Sequence, residues 1–122
     1  MKFSLALLLA LSSASSFALD CKNAVSMPDI NECAAVDQKK VEDKLNQTYQ
    51  GVLKSLDQDK DPDTKKALIA AQRAWVKFRE ADCQAVYQKS IGGTIRTVMY
   101  IGCMQNRAET RIKQLEEYAV KY

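Results

Sequence analysis

The chain of 122 residues sets 18 lysines and arginines against 15 aspartates and glutamates, a formal charge of +3, and has no histidine. A length of this order fits one domain. Both signs of charge are mixed along the predicted helices, which excludes the basic stripe with interleaved aromatics that marks a nucleic-acid binder. The lack of histidine removes the usual general base and the commonest metal ligand.

Residues 1–18 have the layout of a secretory signal peptide: Lys2 as the charged end, Leu5 to Leu11 as the apolar run, and Ser16-Phe17-Ala18 as a small-x-small cleavage site. The apolar run is far shorter than the roughly 20 residues a membrane span needs. Cys21 follows closely, as a lipid-modified cysteine would, but Asp20 stands directly before it where such processing needs a small residue. The prediction is a mature domain over residues 19–122, without a membrane anchor, in a bacterial periplasm or outside the cell.

Cys21, Cys33, Cys83 and Cys103 all lie in that mature segment. In an exported chain an even count reads as two disulfides, with three possible connectivities. A zinc site is the competing reading, and it lacks both histidine and a close Cys-x-x-Cys pair. Local pairing, Cys21 with Cys33 and Cys83 with Cys103, would tie each helix end to the segment beside it; crossed pairing stays open. Closing the second of these loops is worth about 3 kcal/mol in the chain-entropy model.

Ser26-Met27-Pro28-Asp29 opens the first predicted helix, with Ser26 as cap and Pro28 in the first turn. Ile30, Ala34, Val41, Leu45, Tyr49, Val52 and Leu56 then recur at helical spacing, giving a helix over 27–57. The segment Asp57 to Asp63 breaks it, and Asp61-Pro62 caps a second helix over 62–89. Ser90-Ile91-Gly92-Gly93-Thr94 makes a tight connection. Val98, Ile101, Ala108, Ile112, Leu115 and Ala119 form a third helical pattern from Ile95, and Gly102 predicts a break in it, since glycine inside a helix costs about 1 kcal/mol relative to alanine. No stretch alternates as a strand does. The fold predicted is an all-α, antiparallel three-helix domain stapled by two disulfides.

The second helix carries the densest chemistry. At about 100° per residue, Gln72, Trp75, Arg79 and Cys83 share one stripe with the only tryptophan. A core-facing guanidinium needs a carboxylate or several carbonyls. Glu42, Asn46 and Tyr49 share a face of the first helix, so Glu42 and Asn46 are predicted to satisfy Arg79 and Gln72 in a structural polar network. Trp75, Tyr49 and Phe78 are predicted as core anchors. Nothing supplies an enzyme's parts: serines and threonines stand in caps or the signal, without a Gly-x-Ser-x-Gly elbow, and Glu42 with Asp43 or Glu80 with Asp82 read as solvated helix faces before they read as glycosidase carboxylates. No catalytic residue, metal or cofactor is predicted.

Cys21 and Cys33, Leu45-Asn46 with Tyr49, Ala71-Gln72-Arg73-Ala74-Trp75 with Phe78-Arg79 and Cys83, Gly92-Gly93-Thr94, and Cys103 with Arg111 and Leu115 together resemble the LprI-like lysozyme inhibitor family, long catalogued as a domain of unknown function. The pattern covers nearly the whole mature chain. Glu42 departs from it where aspartate is more usual, keeping the charge, and Ala108 stands in place of threonine. The resemblance implies an exported, helical, disulfide-bonded protein, some of whose relatives bind and inhibit lysozyme. The partner expected is therefore a protein, a lysozyme or another wall hydrolase, and the alternative is an immunity or envelope-integrity protein directed at a different cell-wall enzyme. Candidate contacts are Ile91, Gly92, Gly93, Thr94 and Arg96, because a loop held by a disulfide presents a rigid surface. The aspartates at 57, 59, 61 and 63 offer a separate negative patch that would steer a basic enzyme.

Overall fold

The computed structural model describes residues 18–119; the predicted signal peptide, but for Ala18, lies outside them. Three helices follow in order: α1 over Met27–Gln58, α2 over Pro62–Lys89 and α3 over Arg96–Glu117. Cross-links between elements give their directions. Glu42 meets Arg79 and Asp57 meets Lys65, so α1 and α2 run antiparallel; Cys83 meets Cys103 and Gln72 meets Arg111, so α2 and α3 do too. α3 is the shared element, packing most extensively on α1 and next on α2, while α1 and α2 touch each other least.

The termini follow from local chemistry. The Ser26 hydroxyl accepts from the Asp29 amide at 3.2 Å and donates to the Asp29 carboxylate, capping α1. The Asp61 carboxylate accepts from the Thr64 amide at 3.1 Å, and hydrogen bonds from the Thr64 side chain and backbone hold its pKa below the ordinary carboxylate value. α1 ends in a Schellman arrangement: the Asp61 amide donates to the Leu56 carbonyl and the Lys60 amide to the Asp57 carbonyl. The left-handed residue this requires is Lys60, at φ 55°, where glycine is usual.

The core is lopsided. Leu45, Val52 and Leu56 of α1, Leu68 of α2, and Ala108, Ile112 and Leu115 of α3 form one buried cluster, with Val41, Tyr49, Leu53 and Trp75 packed against it. All three helices contribute from the end where α1 joins α2. Toward the other end Ile30, Ala34, Val98 and Ile101 are only half-buried. There the two disulfides do the holding, Cys21 to Cys33 and Cys83 to Cys103, with Cα–Cα distances of 5.6 Å in both. A small domain with too little apolar surface for a full-length core fits this division between packing and cross-links.

Three expectations are corrected. α3 runs unbroken through Gly102: this glycine is exposed, and burial of Ala108, Ile112 and Leu115 beyond it, with Cys103 bonded to α2, outweighs its poor propensity. Phe78 is not a core anchor, being 61% exposed, because it lies well round the helix from the stripe of Leu68, Gln72, Arg79 and Cys83 that faces α3 and α1. Ala119 also falls beyond the end of α3 and is exposed.

Candidate functional site

Two features compete as the functional site: the polar cluster inside the bundle and the turn between α2 and α3. The cluster is built on Trp75. The Arg79 guanidinium lies 4.7 Å from the centroid of its ring and that of Arg111 lies 5.8 Å from it. Both arginines are more than nine-tenths buried. Arg79 donates through Nη1 to the Glu42 carboxylate, and Arg111 donates through Nε to Gln72 Oε1 at 2.9 Å and through Nη1 to Gln114 Oε1 at 3.2 Å. One indole thus organises two cations, only one of which has a carboxylate; the ring quadrupole and the amide oxygens must compensate the other.

Of the residues predicted for this network, Glu42 and Arg79 meet directly, and Gln72 is buried but serves Arg111 instead of reaching α1. Asn46 is not brought in; it is exposed on α1. Arg111 had no place in the expected network. Its spacing with Ala108 and Leu115, three and four residues away on one helix face, is the signal that marks it as core-facing.

The turn is built from short-range hydrogen bonds. The Ile91 amide donates to the Gln88 carbonyl at 3.2 Å and the Gly93 amide to the Ser90 carbonyl at 3.1 Å. Gly92 takes φ 86°, a left-handed conformation open to glycine. Ile91, Gly92, Gly93 and Thr94 are exposed, and so are Ile95 and Met99. Arg96 is half-buried, its guanidinium 5.3 Å from the Tyr87 ring centroid, and Tyr87 meets Tyr100 edge to face at 6.2 Å. The Cys83–Cys103 bridge closes the base. A shallow groove between the turn and the start of α1 is lined by Met27, Gly92, Gly93, Thr94, Arg96 and Thr97. Of the five predicted contact residues, Gly92, Gly93, Thr94 and Arg96 line this groove, and Ile91 is exposed beside them in the chain.

Of the four carboxylates weighed as glycosidase candidates, three are ion-paired. Glu42 is taken by Arg79, Asp43 by Lys39 and Asp82 by Arg107. Asp82 approaches the sulfurs of Cys83 and Cys103, but these are bonded to each other and offer no thiolate to a metal. No helix among the described residues is long and apolar enough to cross a membrane.

The structure defines a small all-α domain, doubly cross-linked, with an exposed glycine turn at one end. The chain belongs to the lysozyme inhibitor LprI family, whose model matches residues 21–115. An uncharacterised protein of Rhizobium meliloti (strain 1021) is 31% identical over 107 residues, covering 80% of this chain and 77% of that protein. A crystal structure of a DUF1311 family protein from Pseudomonas putida KT2440 superposes with a TM-score of 0.69 at 19% identity, covering 76% of this chain and 93% of that one, a likeness of fold.

Proposed function

We propose that this protein is exported through the signal at residues 1–18 and acts without catalysis, by binding a peptidoglycan-cutting enzyme of the lysozyme class and occluding its cleft with the turn around Gly92 and Gly93. Family membership supports the class of partner. The observation that carries the choice of surface is the turn itself: Ile91 is 57% exposed at the tip of a connection closed by a disulfide at its base. A surface ordered before binding loses little conformational entropy on docking, which is what a cleft-filling inhibitor needs. The aspartate patch lies at the opposite end of the bundle, where Asp57 is already paired with Lys65, and suits steering better than insertion.

The test is binding of oxidised residues 19–122 to c-type, g-type and i-type lysozymes, with muramidase activity followed in parallel. Submicromolar binding with loss of activity is expected for one of them. Ile91→Asp, at an exposed position, should weaken inhibition at least about tenfold while leaving the circular dichroism unchanged. Unchanged inhibition would move the contact away from the turn. No binding to any lysozyme would shift the reading to an immunity or envelope-integrity protein aimed at another wall enzyme.

A further inference from the structure

Phe78, 61% exposed, belongs to a second surface on α2. It stands within an exposed row of Ala67, Ala71, Ala74, Ala81 and Ala85 along α2. The steps between these six positions alternate four and three residues, the spacing of a helix-pairing seam. The row lies on a different side of α2 from Leu68, Gln72, Arg79 and Cys83, which are buried. α1 covers α2 only sparingly, and all six positions of the row are exposed among the described residues.

We propose that the row is a self-association surface, occupied by α2 of a second copy of this chain lying antiparallel across a two-fold axis. The row is complementary to itself in that direction. Laying Phe78 on Ala74 of the second copy places Ala71 against Ala81 and Ala67 against Ala85, so each large ring meets a small residue and the remaining contacts let the backbones approach closely. By two-fold symmetry the same contacts form twice. The register also brings Asp63 level with Lys89 of the second copy; both are exposed, and neither is ion-paired with another of the described residues. A parallel pairing would instead set Phe78 on Phe78, Asp63 beside Asp63 and Lys89 beside Lys89. In the antiparallel pair the two Gly92–Gly93 turns point to opposite ends and stay uncovered, so the inference stands whatever the turn binds.

Sedimentation equilibrium of oxidised residues 19–122 tests this, from about 1 to about 300 µM, the range in which a pair of this modest size dissociates. The mass should rise from one protomer toward two. Phe78→Asp should weaken the pair at least about tenfold, and Ala74→Lys on the same row should do likewise. Both should keep the melting temperature of the dilute protein, since they change exposed positions. Ile95→Asp, exposed but off the row, should leave the pair intact. Asp63→Lys should weaken it about threefold, and adding Lys89→Asp should restore it, which only the antiparallel register allows. A single-protomer mass at every concentration overturns the proposal, as does a dimer indifferent to both Phe78→Asp and Ala74→Lys.

Discussion

Arg79 and Arg111 show how a small core tolerates charge. Each buried guanidinium has one face against the Trp75 ring and at least one directional acceptor, yet Arg79 Nε and Arg111 Nη2 remain buried without a hydrogen-bond partner. Glu42 is therefore the group whose loss should be felt most, because among the described residues it supplies the only carboxylate paired with either arginine. Glu42→Gln should destabilise by about 2 kcal/mol, less than a fully buried pair would lose because part of the carboxylate reaches water. Asn46→Ala, one turn along the same helix but exposed, should stay within about 0.5 kcal/mol. Urea denaturation of the two variants separates them. The need for a carboxylate opposite Arg79 was legible in the sequence because a core-facing cation demands one. That Asn46 would turn away was not legible, since its position on the wheel is marginal and helix rotation decides it.

At the scale of the element, the three helices were legible from their caps and periodicities, and their limits fall within a residue or two of those predicted. What periodicity does not report is which neighbour covers which flank. Phe78 lies beside Trp75 in an apolar-looking run, and only the packing of α2 on α3 and α1 reveals that its side of α2 faces outward. The end of α1 was legible to within a residue, but the motif that closes it was not: the left-handed position is held by Lys60, so no glycine advertises it. A non-glycine residue there carries a steric cost of about 1 kcal/mol. Lys60→Gly should therefore raise stability by up to about 1 kcal/mol, read as an increase in denaturation midpoint with unchanged slope.

For the whole molecule, the division between a packed end and a cross-linked end makes reduction an unequal perturbation. Each bridge closes a short loop, with sequence separations of 12 and 20 residues, and removing one costs about 3 kcal/mol in the chain-entropy model. The loss should not be spread evenly. Amides near the α2–α3 turn and the start of α1 should exchange with solvent much faster after reduction, while those around Leu45, Leu68 and Ile112 keep most of their protection, as measured by hydrogen exchange under native conditions. Uniform loss of protection would show that both ends unfold as one unit.

The order in which the helices meet carries a consequence for synthesis. α1 and α2 are adjacent in the chain yet share few contacts, and the buried residues of α1 rest mainly on Ala108, Ile112 and Leu115, close to the C-terminus. A chain emerging from the ribosome therefore has little for α1 to collapse upon until α3 has been made. Topology of this kind delays the nucleus, because its decisive contacts span a long loop that must close first. Were the chain exported as proposed, lateness of this sort would keep the thread slack for as long as passage through a narrow pore requires.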